Sequence, residues 1–177
     1  PEPEPTPDPT ATVAPVAVAP ADGATVDILT PTQRQFLAKS AAERRADYVS
    51  QAQRRNLGSW DYGYCDPQPL TLRWEGENDG NAGLCTVRVW RVKDGVETLH
   101  FEREVLGCST TVDNFEVAAD YRWEVSNAIG TAGGTFTTRD ETPRLLRDPD
   151  PQQRITGIRD LGGRIGLNGR RVKQNLV

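Results

Sequence analysis

The stretch from Asp120 to Thr138 has the sequence DYRWEVSNAIGTAGGTFTT, and it decides the fold. Its first half alternates the apolar residues Tyr121, Trp123 and Val125 with polar ones, which is typical of a strand with one buried and one solvated face. After a short turn, Gly133–Thr138 alternates again as a returning strand. Because the large indole of Trp123 gains most when it is removed from water, the sequence predicts a hairpin covered by a second layer.

Other segments of the chain alternate in the same way. Together with a turn at Lys93-Asp94-Gly95, they predict five more strands: Ala24–Leu29, Leu70–Trp74, Leu84–Val92, Glu97–Val105 and Thr110–Phe115. The strand order, the Tyr-x-Trp-x-Val rhythm and the closing Gly-Thr-Phe-Thr-Thr resemble the last two strands of a fibronectin type III domain. The resemblance implies a mainly β protein, with a fibronectin type III- or immunoglobulin-like sandwich over residues 21–138. Such a sandwich binds ligands or acts as a spacer, so the fold does not fix the function.

Two helix start signals interrupt the strand pattern after the first predicted strand. Thr30, Pro31 and Gln33 form a capping box with proline at the first helical position. A second box at Ser40 and Glu43 predicts another helix, which runs to about residue 55. The sequence therefore predicts a helical insertion over residues 31–57, between the first two strands, where a plain fibronectin sandwich has only a turn.

The first twenty residues are rich in Pro, Glu, Ala and Thr, and they offer little to bury. Such a segment cannot offset its own ordering entropy, so residues 1–20 are expected to be a disordered or semi-stiff spacer. The chain contains no Met and begins at Pro1. We therefore expect a processed or otherwise truncated start. A tether of this kind suits a secreted or cell-envelope protein of a bacterium, with its signal sequence removed.

The charge and the cysteines narrow the classes of partner. A net charge of −4 argues against nucleic acid as the main partner, and no apolar run approaches the roughly 20 residues of a membrane span. No cofactor or metal site is predicted, because the spacing of Cys65, Cys85 and Cys108 fits no zinc motif. Strand parity points Cys85 and Cys108 inward, which favours a disulfide between them. Three small buried thiols are the alternative.

Two features inside the predicted sandwich imitate catalytic motifs. Cys85 and Arg91 have the Cys-x5-Arg spacing of a phosphate-binding loop, but the residues between them are β-branched or aromatic and alternate like a strand. Their backbone donors would be committed to a sheet, so the spacing is interpreted as a coincidence. His100, the only histidine, is interpreted as a residue of the sheet surface. No catalytic residue is predicted in the sandwich.

The composition changes after Thr138. Residues 139–156 contain three prolines and are predicted to be an extended linker. Residues 157–177 then contain the segment Ile158-Arg-Asp-Leu-Gly-Gly163, a hairpin turn at Asn168-Gly169 and a strand-like segment that begins at Val172. This last segment carries the information on function.

It resembles the opening of the catalytic domain of bacterial cysteine-dependent tyrosine phosphatases. In that family an Arg-Asp-Leu-Gly-Gly element precedes a hairpin with an Asn-Gly or Asp-Gly turn. The resemblance implies that the complete protein hydrolyses phosphotyrosine or another phosphomonoester, with a Cys nucleophile, an Arg that holds the phosphoryl oxygens and an Asp that protonates the leaving group. Residues 157–177 would then be the incomplete start of an α/β phosphatase domain.

None of the three catalytic residues is carried over, because their motifs do not occur in this chain. The residues that match the opening motif, interpreted as structural support of the site, are Arg159, Asp160, Gly162 and Gly163. The basic residues that either contact an anionic substrate or form a solvated hairpin are Arg170, Arg171 and Lys173. The chain alone is expected to be inactive, and its expected partner is the remainder of the phosphatase domain.

The alternative is a stand-alone adhesion or carbohydrate-binding module. An aromatic run formed by Trp60, Tyr62 and Tyr64 could bind sugars or cover the edge of a core. On this alternative the partner of the sandwich is a protein or glycan ligand. The coding sequence after Val177 distinguishes the two hypotheses, since only a phosphatase requires a glycine-rich Cys-x5-Arg loop there.

Overall fold

The computed structural model describes residues 11, 13–46, 68–76, 83–141, 145–146, 158–159, 165–166, 169–170 and 172–174. The chain divides into two compact units. The first comprises residues 1–26 and 69–140, and the second comprises residues 27–68 and 141–177. The helical insertion therefore belongs to the same unit as the C-terminal segment, whereas the sequence placed it inside the sandwich domain.

The first unit is built from strands. Their bounds are β1 Val16–Ala19, β2 Ala24–Val26, β3 Leu70–Glu75, β4 Leu84–Lys93, β5 Val96–Leu106, β6 Ser109–Val112, β7 Asp120–Ser126 and β8 Thr131–Thr138. They form a three-stranded sheet in the order β1-β3-β6 and a five-stranded sheet in the order β2-β8-β7-β4-β5. All neighbours are antiparallel except β2 and β8, which run parallel.

Two boundary predictions at the N-terminal side are wrong. The predicted spacer over residues 1–20 includes β1, which pairs with β3. The helical insertion consequently lies between the second and third strands. The predicted first strand also ends at Val26, because Ile28 and Leu29 leave the sheet although both remain buried.

The predicted hairpin from Asp120 to Thr138 is confirmed as β7 and β8. Tyr121 lies opposite Phe136, and Trp123 lies opposite Gly134. The inward residues of β7 are at most 1% exposed, and Trp74 on the other sheet is fully buried. Burial alternates along β3 in one sheet and along β4 and β7 in the other, so each of these strands has one buried face. This arrangement is consistent with a β-sandwich.

The turn of this hairpin has a local cause. The side-chain Oδ1 of Asn127 accepts hydrogen bonds from the backbone N–H groups of Ile129 and Gly130, at 2.9 and 3.0 Å. The Asn127 amide also donates to the carbonyl of Val13, at 2.7 Å. A Cβ on Gly133 would lie 2.1 Å from the carbonyl oxygen of Trp123, so this position requires glycine. One asparagine thus fixes the turn and ties the chain before β1 to it.

The second unit contains two helices, α1 over Pro31–Ala38 and α2 over residues 41–46 in the described part. Both predicted capping boxes are confirmed. Thr30 and Gln33 exchange side-chain and backbone bonds at the start of α1, and Ser40 and Glu43 do so at the start of α2. Each box satisfies backbone donors that the first helical turn leaves without an intrahelical partner.

A buried carboxylate joins the two parts of this unit. One oxygen of Glu141, which is 9% exposed, accepts from the backbone N–H groups of Ile28 and Leu29, each at 3.3 Å. The other oxygen lies 3.0 Å from Arg34, which also binds Asp27 at 2.8 Å. The pKa of Arg34 is raised, first by its hydrogen bond to Asp27 and then by Glu141. The chain segment before α1 and the segment that follows the sandwich are therefore held together by one side chain.

The predicted linker over residues 139–156 is not an extended connector throughout. Besides the buried Glu141, it contains β9, Leu145–Leu146, which pairs antiparallel with β10, Ile158–Arg159. The linker prediction is therefore wrong for these residues.

Candidate functional site

The Cys85–Arg91 spacing forms no phosphate-binding loop. Both residues lie in β4, whose backbone pairs with β5 on one side and β7 on the other. The Arg91 guanidinium is bound to Glu116, at 2.8 Å, and is not directed toward the thiol. Burial raises the pKa of the Cys85 thiol, which outweighs the lowering effect of the neighbouring Trp74 indole N–H. A buried thiol of raised pKa is a poor nucleophile, and the interpretation as a coincidence is confirmed.

The predicted disulfide is not formed, because Cys85 and Cys108 are both free thiols. Cys85 is fully buried in β4, whereas Cys108 is half-buried in the connection between β5 and β6. The Cys108 carbonyl accepts a hydrogen bond from the Trp74 backbone N–H at 3.0 Å, so hydrogen bonding holds this connection at β3. Cys65 lies outside the described residues.

His100 does not lie on the sheet surface as predicted. The pairing of β4 with β5 shifts between Val89 and Trp90, so that His100 is the extra residue of a β-bulge. Its ring stacks on Phe115 with centroids 4.9 Å apart, and its Nε2 lies 3.0 Å from the carbonyl oxygen of Asp113. The bulge turns a residue that strand parity would place outward into an aromatic cluster with Tyr121.

The residues of the phosphatase-like segment are only partly described. Arg159 lies in β10, while Asp160, Gly162, Gly163 and Arg171 are outside the described residues. The predicted turn at Gly169 is confirmed. Gly166 N–H donates to the Arg170 carbonyl at 2.8 Å, and Gly169, with a φ of 72°, donates to the Gly166 carbonyl at 2.9 Å. This positive φ explains the glycine at that position.

Two of the three basic residues that were candidates for anion contact are described, and both are exposed. Arg170 lies at the end of the turn, and Lys173 lies three residues beyond it. The structure therefore leaves both side chains accessible to solvent. It does not assemble them with a nucleophile among the described residues.

The solvent face of the five-stranded sheet carries a charged cluster centred on Arg122. Arg122 makes two hydrogen bonds to Glu97, at 2.7 and 2.9 Å, and one to Glu124, at 3.2 Å. Its guanidinium lies 3.9 Å from the ring centroid of Trp90. The Arg122 hydrogen bonds lower the pKa of Glu97, and Glu97 in turn is the main cause of the raised pKa of Arg122. Strand alternation placed these residues outward, but the sequence does not show their pairing.

Beside this cluster, a shallow groove follows β7 and β8. It is lined by Gly133 and Gly134 together with Glu124, Thr131 and Thr135. These groups could donate and accept hydrogen bonds to a polar ligand.

Among the described residues, no group of three or more His, Cys, Asp or Glu side chains is placed to hold a metal ion. Within the same part of the chain, no helix is both long and apolar enough to cross a bilayer. Comparison of the chain with known protein families, with curated proteins and with solved structures gives no match.

Proposed function

We propose that this chain is the N-terminal portion of a secreted or surface bacterial tyrosine phosphatase. The first unit is a non-catalytic sandwich, and the segment from residue 157 begins the catalytic domain. The observation that carries the proposal is the turn closed by Gly166, Gly169 and Arg170 directly after the Arg-Asp-Leu-Gly-Gly element. The same order of motif and turn characterises the opening of the family that the sequence resembles.

The sandwich itself is proposed to be fibronectin type III- or immunoglobulin-like. The orders β1-β3-β6 and β2-β8-β7-β4-β5 support this assignment. Tyr121, the second residue of β7, supports it further, because its hydroxyl accepts a hydrogen bond from the backbone N–H of Glu116 at 2.9 Å. A tyrosine at this place that bonds back to the preceding corner is a feature of such sandwiches.

The chemistry of the complete enzyme would take place outside the sandwich. A cysteine thiolate in the sequence that follows Val177 would attack phosphorus, the phosphorus–oxygen bond of the ester would break, and an aspartic acid would protonate the departing oxygen. Water would then release phosphate from the cysteine. Cys85 is excluded from this role by its burial and its raised pKa.

Asp160 provides a direct test in a protein extended through the downstream sequence. We expect Asp160→Asn to lower the rate of phosphotyrosine-peptide hydrolysis, because this residue belongs to the motif that supports the site. The matched control is Asp140→Asn, an exposed aspartate in the first unit with the same change of charge. Equal activity of both variants and the parent, or a downstream sequence without a Cys-x5-Arg loop, would count against the proposal.

A second function is favoured by the solvent face of the five-stranded sheet. The groove beside Gly133 offers the hydrogen-bonding groups of Arg122, Glu124 and Thr135, and the Trp90 ring lies next to it beneath the Arg122 guanidinium; polar groups beside an aromatic ring suit a glycan ligand. Trp90→Ala should then abolish binding of the 177-residue chain in a glycan screen. A chain that binds no glycan leaves the sandwich as a spacer or as a protein-binding module.

A further inference from the structure

Strand β5 is an open edge of the five-stranded sheet. It is 11 residues long, and in the described part of the chain only β4 pairs with it. The outer backbone N–H and C=O groups of such a strand are a template for another extended segment. The side chains along this edge are also unusually apolar for an exposed strand: Val96 is 64% exposed, Leu99 52% and Leu106 41%.

The outward side chains of β5 follow a regular order. Leu106 lies opposite Leu84, Glu102 opposite Arg88, and Leu99 opposite Trp90, and these β4 residues alternate with the buried ones. The exposed Glu104 lies opposite Thr86, which offers it no positive charge. From the C-terminal end, the outward face of the edge is therefore apolar, acidic, acidic, apolar and acidic, with the bulge at His100 before Leu99. Glu102 is ion-paired with Arg88 and Glu97 with Arg122, whereas Glu104 faces no cation on β4.

A second copy of the chain is a poor occupant of this edge. Every two-fold antiparallel register that pairs the stretch from Glu102 to Glu104 with itself places carboxylates opposite carboxylates. Like charges directly opposite each other destabilise a strand pair. The charge pattern thus disfavours self-association and favours a strand that carries the opposite sign.

We propose that β5 binds an extended segment of a partner protein as a sixth strand, with two basic residues at alternate positions flanked by apolar residues. The basic side chains lie opposite Glu104 and Glu102, and the apolar ones lie opposite Leu106 and Leu99. Backbone hydrogen bonds supply the general affinity, and these four positions supply the specificity. The binding site belongs to the first unit and does not depend on the phosphatase assignment.

The experiment uses the 177-residue chain and two synthetic peptides, Val-Thr-Lys-Thr-Lys-Thr-Val and the same peptide with Glu in place of Lys. Titrations at low salt are followed by amide shifts and hydrogen exchange. We expect the Lys peptide to bind about tenfold more tightly than the Glu peptide, since two cross-strand pairs change sign. New amide protection should be confined to β5.

Glu104→Lys should reduce this preference to near one, because it places a positive charge opposite a peptide lysine. The matched control is Glu75→Lys, an exposed glutamate on β3 in the other sheet, which should leave the preference unchanged. Equal affinities for both peptides, absence of binding, or protection outside β5 would overturn the proposal. So would sedimentation of the chain as a dimer that is dissociated by Glu104→Arg.

Discussion

At the scale of the residue, the two buried tryptophans dominate the first unit. Trp123 is 1% exposed, and among the described residues no acceptor is placed for its indole N–H. We expect Trp123→Ala to lower the free energy of unfolding by about 3–5 kcal/mol, as large-to-small core changes do. Trp123→Phe should cost distinctly less, because it keeps an aromatic ring and removes the unsatisfied donor. Urea unfolding measures the free energy of unfolding of both variants. Equal decreases for the two variants would contradict the packing described for the Trp123 ring.

Tyr121 combines burial with a specific hydrogen bond. Tyr121→Phe keeps the ring packed on Phe136 but leaves the Glu116 backbone N–H without this acceptor. The expected loss is about 1–3 kcal/mol of unfolding free energy. Thr137→Val, which removes an exposed hydroxyl that donates to Asp120 at 2.8 Å, is the control and should change stability much less. A Tyr121→Phe variant as stable as the parent would contradict the proposed role of the hydrogen bond between Glu116 and the Tyr121 hydroxyl.

His100 also shows, at this scale, why strand parity fails locally. The sequence predicts the alternation of β5. A one-residue bulge, however, reverses which sheet face the side chains on one side of it point to. Nothing in the residues around His100 signals the bulge. The bulge accompanies contacts of the His100 ring with Phe115 and Tyr121, which are distant in sequence.

At the scale of the element, two surface carboxylates make stability depend on pH. The pKa of Asp22 is lowered, chiefly by the backbone N–H of Thr135, and that of Glu97 chiefly by Arg122. A folded-state pKa below the unfolded one gives stability that is complete above the unfolded pKa and is lost as pH falls through the folded one. Unfolding should therefore become easier below about pH 4. Asp22→Asn and Glu97→Gln should each weaken the pH dependence of the free energy of unfolding. A variant that loses as much stability in acid as the parent would show that its carboxylate does not contribute.

The carboxylate of Glu141 acts between elements of the second unit. Glu141→Ala would leave the N–H groups of Ile28 and Leu29 without these acceptors, at a cost of about 1–3 kcal/mol for buried donors. Glu75→Ala, at an exposed residue of β3 in the first unit, is the control and should leave this stability nearly unchanged. The measurement is hydrogen exchange across α1, which should accelerate only in the first variant. Unchanged exchange in both would show that this carboxylate does not hold the helix.

The elements that the sequence predicted well are those with local causes. The capping boxes at Thr30 and Ser40 and the turn at Gly169 depend on residues within four positions of each other, and all three form. Strand β1 was missed because it is four residues long within a proline-rich stretch, and its pairing partner β3 lies more than fifty residues away. The hydrogen bonds of the Glu141 carboxylate join residues 112 and 113 positions apart in sequence, so no local sequence pattern predicts them.

At the scale of the whole molecule, the sequence correctly predicted a mainly β chain, but not its division into units. The insertion and the C-terminal segment were assigned to different domains, because composition changes at residue 139 and the capping signals begin at residue 30. The structure places residues 27–68 and 141–177 in one unit. The proposed function combines the Arg-Asp-Leu-Gly-Gly resemblance with the turn that Gly166, Gly169 and Arg170 close after it.

The function proposed above is a non-catalytic sandwich with the phosphatase chemistry in a domain that begins near residue 157 and continues after Val177. The measurement is phosphate release from a phosphotyrosine peptide by the 177-residue chain and, in parallel, by a protein extended through the downstream sequence. The account predicts turnover by the extended protein alone, with no effect of Cys85→Ser on it. Turnover by the 177-residue chain that Cys85→Ser abolishes, or an extended protein with no activity, would contradict the account.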